Sequence, residues 1–323
     1  MGNNKIVWAL LDNRTGNRNQ ILGVLSKLGF EFKLIEIRYN FFSVLPNFFF
    51  QIFYKNFHIH SLRNLKEGLY PDIILSCGRR TATVALELKK KFNFRPFCIH
   101  LMYPRFTLFK KNFDLIFIPN HDKVKRTNTI IKCLGSPSNV KLLKISNHKY
   151  EEPVIFLILG GNNKKYIFSV DEVEKLINKV VNNLSNRKGT VLITTSRRSS
   201  KALIEKVNMM KKDISIIKEI YHPNITKNRN PYIKYLSIAN EIVVTGDSTS
   251  MISDACETGK PVRIYYNEKF CTKKHINFCE SLIEKKYAFP IDTLGKKCNI
   301  IKKLNTSTII ADHIKRSFKN GKN

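Results

Sequence analysis

Short, continuous apolar runs alternate along the whole chain with segments whose apolar positions recur every three or four residues. In the first half the runs Ile6–Leu11, Phe32–Ile37, Asp72–Ser76, Phe97–Leu101, Asp114–Ile118 and Thr129–Cys133 read as strands, and Gln20–Leu28 and Thr81–Lys91 read as helices. The pattern restarts with a strand at Val154–Leu159, a helix at Val170–Leu184, a strand at Val191–Thr195 and a helix at Lys201–Met210. Strands at Ile214–Ile217, Glu241–Thr245 and Val262–Tyr266 follow. Strands that are apolar on both faces need cover on both faces. Repeated β-α-β supplies it, so the pattern predicts parallel sheets between layers of helices. The polar, Pro-terminated stretch Ser146–Pro153 divides the halves and sets the expected domains at 1–148 and 149–323. The expected fold is α/β, with two Rossmann-like domains facing a cleft and a basic terminal helix over Ala311–Asn323.

Length and composition fit this picture. The chain has 323 residues, enough for two ordinary domains, and 43% of them are hydrophobic, enough for two packed cores. No signal peptide is expected ahead of the first strand, and no apolar stretch reaches membrane-spanning length. The aromatic segment Tyr39–Phe57 is broken by Asn40, Ser43, Pro46, Asn47, Gln51 and Lys55. Its rings, with Arg38, Lys55 and Arg63, suit an anionic membrane surface; the alternative is a buried loop or helix of the first domain. The seven cysteines are odd in number and include no CxxC, as expected of reduced thiols in the cytoplasm. Cys271, His275 and Cys279 recur at helical spacing. On one helix the two sulfur positions would lie about 12 Å apart, too far for one metal, so the triplet reads as a core-facing helix.

Charge changes the picture further. Lys and Arg number 56 against 25 Asp and Glu, a net charge of +31 that favours polyanionic partners: nucleic acid, an anionic membrane face or phosphorylated small molecules. An AT-rich coding bias is the bland alternative for part of the excess, but it does not readily account for so few acids. The basic residues are dispersed and form no recognised nucleic-acid module, which sets nucleic acid aside.

Ligands of doubly wound sheets bind beyond the carboxyl ends of the strands, so the residues just after each strand carry the candidate chemistry. Asn13, Gly16, Asn17 and Gln20 follow the first strand and open a helix. Gly78, Arg79 and Arg80 repeat the arrangement, with two guanidinium groups suited to phosphate or carboxylate. His100 near the end of one later strand, and Arg105, His121 and Asp122 beyond strand ends, include candidate general bases. His121-Asp122 resembles the metal dyad of HD hydrolases, but the further histidines of such a site are not in place and no metal is expected. In the second half, Gly160-Gly161 would let a ligand approach the backbone, and Arg197-Arg198 would clamp a diphosphate. The longest constellation is Thr245–Val262, TGDSTSMISDACETGKPV. Here Ser248, Thr249 and Ser250 open a helix whose N–H groups suit phosphate, Asp254 sits one turn on to accept ribose hydroxyls, and Glu257 follows on nearly the same face. The bland alternatives are helix caps and, for Asp254, a partner for the helix dipole.

That last segment resembles the carboxy-terminal domains of the glycosyltransferase-B (GT-B) superfamily, with their Gly turn, Ser/Thr-rich helix start, ribose-binding acid and Gly-[Lys/Leu]-Pro-Val. Asp254 stands where that superfamily usually has Glu. The motifs DNRTGNRNQ, SCGRRTA, IH…PR, FDLIFIPNHD, ILGG, TTSRR and TGDSTSMISDACETGKPV, in order from Asp12 to Val262, resemble the mitochondrial-fission Elm (elongated mitochondria) family. The resemblance implies a GT-B-like fold and a membrane-associated role. The expectation is a metal-independent glycosyltransferase, peripheral on the cytoplasmic face of the inner membrane. It would need no cofactor and would use a nucleotide-diphosphate sugar as donor and a lipid or envelope glycan as acceptor. A nucleotide-sugar epimerase on the same fold and a non-catalytic membrane adaptor are the alternatives.

Overall fold

The structure is a computed structural model and describes residues 5–39, 70–104, 112–163, 165–184, 188–226 and 229–320. The chain forms two compact units, residues 1–139 with 305–323 and residues 140–304. The division falls just before the Ser146–Pro153 stretch, and the last helix joins the first unit although its sequence follows the second.

Unit 1 is built from β1 (Ile6–Leu11), α1 (Thr15–Leu28), β2 (Glu31–Glu36), β3 (Ile73–Cys77), α2 (Arg79–Lys91), β4 (Phe97–Leu101), β5 (Leu115–Pro119) and β6 (Ile130–Cys133). Its six strands are all parallel, in the order β2-β1-β3-β4-β5-β6. The continuous apolar runs are explained by cover on both faces. Val7, Ala9, Leu11, Ile73, Leu75, Ile99 and Leu101 face one cluster, whereas Trp8, Leu10, Ile74, Cys98 and Ile116 face the other with α2.

Unit 2 continues with β7 (Val154–Ile158), α3 (Val170–Leu184), β8 (Thr190–Thr194), α4 (Lys201–Asp213), β9 (Ile217–Tyr221), α5 (Tyr232–Ile238) and β10 (Glu241–Thr245). It ends with α6 (Thr249–Cys256), β11 (Val262–Tyr265), α7 (Lys273–Glu284) and β12 (Phe289–Pro290). The sheet order is β12-β11-β10-β7-β8-β9, again all parallel and the doubly wound order of dinucleotide-binding domains. Most strands lie within a residue of their expected bounds, but one starts three residues late. Ile214 is the extended C-cap of α4, its N–H bonded to Met210 O, so β9 starts at Ile217 rather than Ile214. Ile214, at the head of that apolar run, is consumed in ending a helix that continues three residues past Met210.

α8 (Thr306–Asn320) belongs to unit 1 because its apolar face packs there. Ile310, Ala311, Ile314 and Phe318 share a cluster with Ile21, Val24, Leu25 and Leu28 of α1. Gly23 permits the close approach: a Cβ there would lie 2.3 Å from Ser138 O and 2.8 Å from Ser307 Oγ. Thr306 donates to Leu134 O at 2.6 Å, and Ser307 both accepts from Ser138 N–H and donates to Ser138 O. Among the described residues, no helix is long and apolar enough to cross a membrane. Of the aromatic segment Tyr39–Phe57, residues 40–57 lie outside the described residues.

Candidate functional site

In sheet 2 the chain runs outward from β7 through β8 to β9, then returns to place β10 on the other side of β7. That reversal opens a crevice at the carboxyl ends of β7 and β10. The loops after β7, β8 and β10 meet there on one buried carboxylate, Asp247. Its Oδ1 accepts the Thr245 hydroxyl at 2.7 Å, and its Oδ2 accepts the Gly161 N–H at 3.1 Å and Arg198 Nη2 at 2.7 Å. Arg198 also donates to the carbonyls of Gly161 and Asn162, at 3.0 and 2.9 Å, and the Ser199 hydroxyl donates to Gly160 O at 2.7 Å.

This network gives the two glycines a physical reason other than close approach of a ligand. A Cβ on Gly160 would lie 1.8 Å from Asp247 Oδ1, and one on Gly161 would lie 2.4 Å from the Arg198 backbone. The space beside both is filled by the protein's own loops. Arg197 and Arg198, read together as a clamp, part company. Arg198 is spent on the loop network, whereas the exposed Arg197 side chain makes no hydrogen bond or ion pair with a described residue. The Arg197 carbonyl is held by Asn224 Nδ2 at 2.9 Å.

α6 opens beside Asp247. Ser248 is its extended N-cap, and its hydroxyl makes no capping hydrogen bond; the hydroxyls of Ser248 and Ser250 lie 3.5 Å apart, and Thr249 is the first helical residue. Uncapped N–H groups at a helix start are a favourable place for an anion. Asp254, one turn on, is half-buried beside Tyr232. Burial first, and the Asp254 carboxylate next, raise the Tyr232 phenol well above its ordinary value. Glu257 is the C-cap of α6, with Oε1 buried. Lys260 of the Gly-Lys-Pro turn donates to Ser237 O and Ala239 O at 2.5 and 2.6 Å and so ties down the end of α5.

Sheet 1 has its own reversal, at β1 and β3. Buried Asp12 accepts the Arg14 N–H at 3.0 Å and Asn17 Nδ2 at 2.9 Å. Asn17 in turn covers Gly78: φ there is +83°, and a Cβ would lie 2.5 Å from Asn17 Nδ2. Gly78, the N-cap of α2, has no side chain with which to cap it. The Arg80 guanidinium lies over the Tyr39 ring, 5.4 Å from its centre, and Arg79 is half-exposed beside it. Asn13 is exposed, Gly16 has open space beside it, and Gln20 is buried in α1. Arg105 lies outside the described residues.

His100 faces the core of unit 1 instead of the open strand ends. Its Nδ1 is 2.8 Å from Ser76 Oγ, its ring lies 5.0 Å from that of Phe113, and its buried Nε2 has no hydrogen-bond partner among the described residues. Burial pushes its pKa down to about 3, so the ring is neutral near pH 7. His121 and Asp122 form the turn after β5, where Asp122 O takes the Lys132 ammonium at 3.1 Å. Cys271 and Cys279 are closer than one continuous helix would put them, because α7 starts only at Lys273. Both sulfurs come within 3.1 Å of the place a Gly246 Cβ would occupy. Among the described residues, no group of three or more His, Cys, Asp or Glu could hold a metal ion.

Asp247 is the central residue that sequence reasoning passed over. Its signal was an acid directly behind a Gly turn at the end of an apolar strand, where a carboxylate can bond several loop N–H groups at once.

Two parallel α/β units of these topologies, each with a reversal at its carboxyl edge, define a protein of the GT-B-like class. The fold is shared with UDP-GlcNAc 2-epimerase from Methanocaldococcus jannaschii, solved with UDP-GlcNAc and UDP, at a TM-score of 0.53 and 14% identity over 98% of this chain and 100% of that one. It is shared too with the spinosyn forosaminyltransferase SpnP, at a TM-score of 0.52 and 10% identity over 99% and 91%. The family model described as Mitochondrial fission ELM1 matches residues 15–318, and the chain belongs to that family. The uncharacterized protein RP120 of Rickettsia prowazekii (strain Madrid E) is 30% identical over 325 residues, 87% of this chain and 89% of that protein. The mitochondrial fission protein ELM1 of Arabidopsis thaliana is 26% identical over 251 residues, 68% of this chain and 56% of that protein.

Proposed function

We propose that unit 2 binds a nucleotide-diphosphate sugar and that the protein transfers the sugar to a lipid or envelope-glycan acceptor at the cytoplasmic face of the inner membrane. The observation that carries this reading is the division of labour around Asp247. Arg198 and the two glycines are spent on holding three loops, while the uncapped start of α6 and the unengaged Arg197 are left for an anion. Asp254, one turn into α6, suits the ribose hydroxyls. A leaving diphosphate would be stabilised by these donors without a metal. Unit 1 would take the acceptor, with Arg79 and Arg80 for any phosphate it bears, and the net charge of +31 favours an anionic membrane. The UDP-GlcNAc 2-epimerase of like fold, solved with UDP-GlcNAc and UDP, supports the donor class.

An epimerase acting on the same nucleotide sugar is the second reading, favoured by the fold likeness to a UDP-GlcNAc 2-epimerase. A non-catalytic membrane adaptor is the third, favoured by the fission-protein relative. Thermal-shift titration of the purified protein with UDP-, GDP-, ADP- and CMP-sugars tests the shared premise, because a ligand of the folded state raises the melting temperature. Transfer requires an added acceptor and releases nucleotide diphosphate; epimerisation changes the sugar with no acceptor. No shift with any of the four classes counts for the adaptor.

A further inference from the structure

α7 turns one face toward the Gly246-Asp247 turn. Cys279 Sγ lies 3.8 Å from Gly246 O, and His275, four residues earlier, is on the same face one turn nearer the helix start. The ring is half-buried, and the outside charges that act on it are Asp247, behind β10, and Arg198, behind β8, besides Lys274 of its own helix. Its Nδ1 is 3.2 Å from the hydroxyl of Thr272, the N-cap of α7, whereas Nε2 makes no hydrogen bond to a described residue. His275 therefore borders the crevice with one nitrogen anchored and the other unengaged.

We propose that His275 is a contact residue for the nucleotide-diphosphate sugar, presenting its Nε2–H to a diphosphate oxygen. The inference rests on the nucleotide reading of unit 2 and adds to it a titratable donor. In the tautomer in which the Thr272 hydroxyl donates to Nδ1, the neutral ring carries its proton on Nε2 and has it free for a ligand. Burial lowers its pKa; Asp247 opposes this, and Arg198 and Lys274 add to it, so the free ring is mostly neutral at pH 7. A diphosphate anion beside it favours the imidazolium and raises the pKa. Binding then takes up a proton, and affinity rises as pH falls through the bound-state value, levelling off below the free-state value.

Titration calorimetry with UDP-N-acetylglucosamine and GDP-mannose, in two buffers of unlike ionisation enthalpy, reads this directly. Neither probe titrates near neutral pH. The parent should take up a fraction of a proton; His275→Gln should take up none and bind roughly tenfold more weakly. Equal affinity and equal uptake in a normally melting His275→Gln protein overturn the inference. The ring resonances of the parent, followed by NMR with and without probe, answer the same question without a variant: an unmoved His275 titration rules the contact out. If the parent binds neither probe, the nucleotide reading falls and this inference with it, a result distinct from binding that ignores His275.

Discussion

Asp247 and Arg198 meet at 2.7 Å, the Asp247 side chain wholly out of solvent and the Arg198 side chain 39% exposed. Their pairing separates two adjacent arginines that a motif would treat as one feature. Arg198→Ala should lower stability by about 1–3 kcal/mol, because it strips a charged donor from a buried acceptor that keeps Thr245 and Gly161. Arg197→Ala should leave denaturant unfolding unchanged yet weaken every nucleotide diphosphate, with a reduced salt dependence of binding. The same stability loss in both variants would contradict the division.

Gly160 and Asp247 should behave as one unit. A Cβ placed 1.8 Å from a carboxylate oxygen cannot be accommodated without displacing Asp247, so Gly160→Ala should cost about 3 kcal/mol. In the Gly160→Ala/Asp247→Ala pair the clash is gone. A double-mutant cycle by urea denaturation should then show a favourable coupling of about 1–3 kcal/mol. Additive losses would mean that the glycine is there for another reason.

For Asp254 the decisive comparison is between ribose and deoxyribose. If it accepts a ribose hydroxyl, Asp254→Ala should cost about 1–3 kcal/mol with a ribonucleotide diphosphate and distinctly less with the 2′-deoxy form. If the variant binds both as the parent does, Asp254 answers only to Tyr232 and the helix dipole, and the adaptor reading gains.

His100 makes stability depend on pH. Its folded pKa of about 3 lies below the unfolded value of about 6.5, so between them the unfolded chain holds the extra proton. The contribution of the neutral ring is fully present above the upper value and is lost as pH falls through that window. His100→Asn should flatten the parent's decline between these limits, measured as the difference in unfolding free energy at successive pH values. Parallel curves would place the proton elsewhere.

The sheets were legible from the sequence because a strand covered on both faces must be apolar throughout. β1, β4 and β10 have the bounds that their apolar runs suggested. α1 was read too short: it opens at Thr15, and its first turn, Thr15-Gly16-Asn17-Arg18, carries no apolar residue to announce it. α5 was missed because its seven residues are too few to establish a period. In the crevice, the Gly, Ser and Arg positions were legible as loop chemistry. Their separate roles were not, because Arg197 and Arg198 differ only in which one reaches Asp247. Tyr39–Phe57 made the membrane expectation, and residues 40–57 lie outside the described residues.

The packing of α8 against α1 sets an order on synthesis. Domains ordinarily finish folding from the amino terminus as the chain emerges. Here the first unit's core includes Ile310, Ile314 and Phe318, which are translated after all of the second unit. The earlier-made sheet must therefore wait, with the α1 face that α8 will cover still open, while the later-made one closes. A stop codon ahead of residue 306 would leave unit 2 complete and deprive unit 1 of that helix. Damage at the carboxyl end would be felt at the amino-terminal sheet.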